Sequence, residues 1–242
     1  MPDTAPAWRP TAVLVTCEHA GNEVPPEYAH LFQNPDARRD LDSHRGWDPG
    51  ALGVALRLAT RLSAPLLANR VTRLLVEANR SEDSPELFSR YSRPLPADER
   101  ARVLACHYHP HRREAERLIA SWIRCGERVL HLGIHSFTDV LDGRTRAVDL
   151  GLLFDPARPS EVSVCADWAV RLGGSGLRVR DNEPYAGADD GLTTFFRTVF
   201  PAEAYAGVEI EVRQGLLRTP EQERAVADLL ADTAPCRTAA RP

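Results

Sequence analysis

The chain contains no lysine at all: every one of its 30 basic residues is arginine. Schiff-base catalysis and the phosphate-binding lysine of a P-loop are therefore excluded, whereas bidentate carboxylate recognition by arginine stays open. Cysteine is sparse. Cys17, Cys106, Cys125, Cys165 and Cys236 are scattered and form no C-x-x-C pair, which argues against a disulfide framework or a zinc ribbon. Nowhere do eighteen apolar residues run together, so a membrane-spanning helix is not expected. The opening MPDTAPAWRP has neither a basic n-region nor an apolar h-region, so no secretory signal is expected and the cytoplasm is the default location. Basic excess is missing too. A net charge of −4 and a pI near 6.1 point away from a nucleic-acid partner. There is no G-x-S-x-G elbow, internal repeat or low-complexity tract.

What is present is an ordinary globular composition, 43% hydrophobic and 26% charged over 242 residues, enough for one domain with a substantial core. The tails at about 1–10 and 232–242 are expected to be flexible. The apolar run VLHLGI (129–134) predicts a strand covered on both faces that delivers His135, Ser136 and Phe137 into a loop. Further strands are predicted at AVLVTC (12–17), APLLAN (64–69), TRLLVEA (72–78), AVDLGLLF (147–154), LRVRD (177–181) and GVEIEVRQ (207–214). Helices are predicted from Pro49 to about 62, over 97–124 with a break at Pro110, over 159–172 and from Pro220 to Leu230. Strands alternating with helices predict an α/β fold in three α/β/α layers around a mixed, mainly parallel sheet.

Open α/β sheets bind ligands beyond the carboxyl ends of their strands. Those ends supply His19, Asn79 with Arg80, His135, Asn182 with Glu183, and Glu211 with Arg213. Two histidines and a carboxylate on separate loops match a catalytic zinc site with an open position, in which a glutamate takes the proton of an activated water. Spacing alone cannot show that the ends converge, so a metallohydrolase and a non-metal α/β enzyme both remain open. Cys17, beside Glu18 and His19, is better explained as a packed core thiol than as a nucleophile. The trio His107, His109 and His111 lacks a metal-ligand spacing. Asp48, ahead of Pro49, competes between a ligand role and that of a helix N-cap.

Six stretches in order, CEHAGNEVP (17–25), HRGWDPGA (44–51), EANR (77–80), GIHSFT (133–138), DNEPYAG (181–187) and EIEVRQGLL (209–217), resemble the N-formylglutamate amidohydrolase family. A more distant likeness links IHSF (134–137) and IEVR (210–213) to zinc carboxypeptidases and aspartoacylases. The resemblance implies a zinc-peptidase-like fold and a Zn2+ ion on His19 and His135. It implies Glu211 as general base, and Asn79 with Arg80 as the grip on a substrate carboxylate or carbonyl. It departs at the first metal motif: H-x-x-E would place glutamate where Asn22 stands, and Glu23 comes one residue late. Asp48 is then the favoured third ligand, with Glu23 the alternative. Asn182, Glu183, Tyr185 and Arg213 are expected in the pocket, with Glu18, His44, His111 and Ser136 around the metal. The implied activity is cleavage of an N-formyl or other N-acyl amino acid, a small molecule, to formate or the acid and the free amino acid. A peptidase or deacylase acting on a larger amide, and an inactive binding module, are the alternatives. Oligomeric state is left open.

Overall fold

The computed structural model describes residues 8–236, and its elements follow the chain as β1 (Ala12–Cys17), α1 (Pro35–Leu41), α2 (Ala51–Leu62), β2 (Leu66–Ala68), α3 (Ala97–Val103) and α4 (His109–Arg124). Next come β3 (Val129–Phe137), the short pair β4 (Val140–Leu141) and β5 (Arg144–Thr145), β6 (Leu150–Leu153) and α5 (Pro159–Leu172). The last are β7 (Val179–Asp181), α6 (Leu192–Val199), β8 (Tyr205–Arg213) and α7 (Pro220–Thr233). Among the described residues six strands form one sheet in the order β2-β1-β3-β8-β6-β7. Four of its five neighbouring pairs are parallel and β6–β8 is antiparallel, the mixed, mainly parallel sheet that the alternation predicts.

Alternate side chains of the central strands feed opposite layers, as the pleat requires. Leu130, Leu132 and Ile134 of β3, with Ala206, Val208, Ile210 and Val212 of β8, pack against α2, α5 and α7 around the fully buried Trp168. The other face carries Val129 and Tyr205, which pack with Ile119 of α4 and Phe196 of α6. His131, Gly133 and His135 share that second face with Gly207, Glu209 and Glu211, each pair aligned across the β3–β8 ladder. The strand order reverses direction at β1, with β2 on one side and β3 on the other, so β1 and β3 flank a topological switch point.

Local structure departs from the predicted elements at several points. TRLLVEA (72–78) forms turns and no strand: successive Leu75 and Val76 both enter a satellite cluster with Tyr28, Val103 and Tyr108, which the alternating pleat of a strand would forbid. Asp48 does not cap α2, which starts at Ala51 behind Gly50; that glycine takes φ +82°, a left-handed turn where a side chain would also strike Leu217. The predicted break at Pro110 is absorbed by a π-turn over Leu104–Tyr108, in which the His109 N–H reaches the Leu104 carbonyl and Pro110 falls at the start of α4, where its missing N–H costs nothing. Helices α1 and α6 were not expected from the apolar periodicity. The N- and C-terminal tails expected at 1–10 and 232–242 lie partly outside the described residues; Trp8 donates to the Glu203 carbonyl, and Ala234 is buried beyond the end of α7.

Candidate active site

The site grows from the carboxyl ends of β1, β3 and β8. His19 follows β1 by two residues, His135 lies near the end of β3, and Glu211 stands directly opposite His135 in the parallel ladder. Asp48 is carried in by the turn before α2, and its backbone N–H donates to the His19 carbonyl. His19, Asp48 and His135 are all buried, and one donor atom of each lies within 4.8 Å of the other two. Asp48 Oδ2 sits at the centre: His19 Nδ1 is 3.3 Å away, His135 Nδ1 3.1 Å, and the Ser136 N–H 3.3 Å.

Each histidine turns its second ring nitrogen to another carboxylate. His19 Nε2 meets Glu77, and His135 Nε2 is 3.1 Å from Glu18 Oε2, off the line of a good hydrogen bond. Glu77 is held in turn by Arg73 at 2.6 Å and by the Asn79 N–H at 3.0 Å, while Glu18 takes His111 Nε2 at 3.3 Å. Carboxylates behind imidazoles fix the tautomer and ring orientation, leaving both Nδ1 atoms aimed at one point.

The electrostatics agree. Burial disfavours charge on Glu18, but the hydrogen bond from His111 and the close approach of the His135 imidazole hold its pKa well below the ordinary value. Burial and Arg73 oppose protonation of His19, and burial opposes that of His135, yet the surrounding carboxylates raise both. A positive charge is thus favoured between these side chains, in the form of protons or of a cation. Burial also pushes Glu211 up to about 8, and its Oε2 is buried without a hydrogen-bond partner. That unpaired oxygen, together with a nitrogen–nitrogen–carboxylate donor set of the kind Zn2+ prefers, fits a metal centre held by His19, Asp48 and His135.

Around this cluster is a cavity of about 200 Å³ whose wall includes Arg73, Asn79, Arg80, Ser136, Tyr185, Asp189, Asp190 and Glu209. Asn79 is pinned by accepting from the Leu192 N–H at 2.7 Å, which turns its neighbour Arg80 toward the cavity. Arg80 spends Nη1 on the carbonyls of Asn79 and Asp190 and Nε on Glu86.

Not every expected residue comes to this place. Asn22 donates to the Leu41 carbonyl, and Glu23 is exposed and paired with Arg70, so Asp48 and not Glu23 reaches the histidines. Asn182 does not line the cavity; its side chain accepts from Phe154 and Gly187 and closes the 182–187 loop. Glu183 is exposed, and Arg213 is bound to Asp149 and Asp139, so neither forms the cavity wall. His44 is also exposed and does not line the cavity. Cys17 is fully buried core and its thiol pKa is raised by burial, as the packing explanation requires. Arg73, Glu77, Glu209, Asp189 and Asp190 are additions. Glu77 lies within the EANR stretch and Arg73 four residues before it; the two aspartates carry no local signal.

A model of the N-formylglutamate amidohydrolase family matches residues 11–218 of this sequence. The chain belongs to that family. Family membership makes it an amidohydrolase by class, and the matched span contains every strand of the sheet. The structure is similar to that of a gene product of Agrobacterium tumefaciens, at 31% identity and a TM-score of 0.79, covering 93% of this chain and 89% of that one. It shares its fold with an N-formylglutamate amidohydrolase from Ralstonia eutropha JMP134, at 20% identity and a TM-score of 0.68, covering 93% of each chain. No curated protein matches the sequence. Among the described residues no helix is long and apolar enough to cross a membrane.

Proposed function

We propose that this protein is a zinc-dependent amidohydrolase that cleaves an N-formyl, or closely related N-acyl, amino acid of the N-formylglutamate type, giving the carboxylic acid (formate from a formyl group) and the free amino acid. The observation that carries the reading is the alignment of Glu211 against His135 across the β3–β8 ladder, with the unpaired Glu211 Oε2 beside the His19–Asp48–His135 cluster. His19 and His135, through Nδ1, and Asp48 would hold the ion. When bound, Zn2+ supplies a Lewis acid for the scissile carbonyl and lowers the pKa of water.

The remaining work falls to the chain. Glu211 takes the proton of the attacking water and returns it to the departing amine nitrogen; a carboxyl lifted toward neutrality by burial is suited to both transfers. Arg80, whose Nη2 is uncommitted among the described residues, and Asn79 hold a substrate carboxylate or steady the carbonyl oxygen as charge develops on it. Glu18 and Glu77 keep the two imidazoles in register. A cavity of about 200 Å³ suits a small metabolite and favours this substrate class over a peptide.

The test is elemental analysis of the purified protein together with hydrolysis of N-formyl-L-glutamate by the parent, Asp48→Asn and Glu211→Gln. We expect about one zinc per chain in the parent and its loss in Asp48→Asn. Glu211→Gln should retain zinc but turn over ~10²–10⁴-fold more slowly, the usual contribution of a general base. A fully active protein free of metal, or an unimpaired Glu211→Gln, would refute the mechanism.

A further inference from the structure

The cavity is electrically divided. On the side leading into α6, Asp189 and Asp190 join Glu209 of β8 in its wall. The Asp190 carboxylate is satisfied by neutral donors, the Ser81 N–H and hydroxyl, and Glu209 by Thr193 and Asn79, and among the described residues neither has a cationic partner. A second substrate carboxylate, beyond the one Arg80 can hold, meets repulsion there.

The Tyr185 side is different. Arg146 follows β5, and its backbone N–H is fixed on the Asp139 carbonyl. Its guanidinium lies 5.3 Å from the Phe137 ring centre and 5.1 Å from that of Tyr185, and Nη1 donates to the Tyr185 hydroxyl at 3.0 Å. Phe137 is two residues beyond His135 on the same strand, and Tyr185 is part of the cavity wall. Among the described residues Arg146 forms no ion pair. By contrast, Arg73 is committed to Asp48 and Glu77, and Arg80 keeps only Nη2 uncommitted, its other donors going to Glu86 and two carbonyls. Arg146 is therefore a guanidinium already oriented by two aromatic rings, with most of its donors uncommitted, directly behind Tyr185 of the cavity wall. Such a fork loses little further entropy on gripping a carboxylate.

Resting on the amidohydrolase reading above, we propose that Arg146 is a specificity-determining residue that binds the side-chain carboxylate of the substrate. Tyr185 acts through it, by holding the guanidinium in place.

The experiment compares N-formyl-L-glutamate with N-formyl-L-glutamine, equal in shape and neutral in the side chain, using the zinc-loaded parent, Arg146→Gln and Arg146→Lys. Loss of one charged hydrogen-bonding pair should raise KM for the glutamate compound ~10–100-fold with kcat nearly unchanged. KM for the glutamine compound should stay within about twofold, and Arg146→Lys should recover part of the loss, since it keeps the charge but not the fork. Calorimetric titration with glutarate gives a readout independent of turnover, and its binding should weaken in parallel in Arg146→Gln. Equal losses on both substrates, or undiminished preference for glutamate and undiminished glutarate binding in Arg146→Gln, would overturn the assignment. If the parent hydrolyses neither compound, the function proposed above fails, and the glutarate titration still decides the role of Arg146.

Discussion

His131 should make this protein acid-sensitive in a calculable way. It lies fully buried on β3, four residues before His135, between the Thr16 hydroxyl and the Tyr205 hydroxyl, each 2.8 Å from a ring nitrogen. Two neutral hydroxyls satisfy a neutral imidazole but offer a cation no counter-charge, and burial lowers the His131 pKa from 6.5 to about 4. Between those values the unfolded chain binds the proton more readily than the folded one. The stabilisation from a neutral His131 is thus complete above pH 6.5 and disappears as the pH falls through 4. The full shift corresponds to about 3 kcal/mol, of which roughly 2 kcal/mol is already lost at pH 5. Against a typical total of about 5–15 kcal/mol this is a large share. The assay is urea unfolding of the metal-free parent and of His131→Gln at pH 7.5, 6 and 5, following the difference between them so that other titrating groups cancel. The variant starts less stable at pH 7.5, and the gap should narrow by about 2 kcal/mol at pH 5. Stability curves that run parallel from pH 7.5 to pH 5 would refute the reasoning. An imidazole titration by NMR on the parent answers the same question if the variant does not fold.

If the proposed zinc site is correct, Glu18→Gln and Glu77→Gln each weaken zinc binding ~10–100-fold by releasing an imidazole from its orienting carboxylate; competition against a chelator measures this, and unchanged affinity would show the carboxylates to be incidental. Gly151→Ala should destabilise the protein by about 1–3 kcal/mol, the range for forcing an atom into a packed interior, because an added Cβ would lie 2.0 Å from the Glu183 carbonyl oxygen. Its melting temperature should fall, and one equal to the parent's would mean that the 182–187 loop yields freely.

Much of the site was legible because strand ends announce themselves. The apolar runs ending at His19 and His135, and the alternation of Glu209 and Glu211 with buried Val208, Ile210 and Val212, mark three strands and the polar residues they deliver. Asn79 and Arg80 stood out as a pair, although the run before them misled: TRLLVEA has the composition of a strand and folds as turns, which hid Arg73 and Glu77. Asp48 was ambiguous for a definite reason. A helix-capping aspartate and a site aspartate look alike locally, and the left-handed Gly50, by delaying the start of α2, frees the carboxylate to reach across to His19 and His135. Asn182 and Arg213 show the converse, since polar residues at strand ends also serve the scaffold, here by closing a loop and by pairing with Asp149.

The sequence by itself determined the class of fold, the absence of lysine chemistry and the kinds of side chain placed at the strand ends, since those depend on local periodicity and residue type. Only the tertiary structure decided which ends meet. The order β2-β1-β3-β8-β6-β7 brings residues 19, 48, 135 and 211 together, and the register sets His135 against Glu211. The same packing turns Arg146 toward Tyr185. Strand order and register are pairings between segments far apart in the chain, made by backbone hydrogen bonds that carry no side-chain signature.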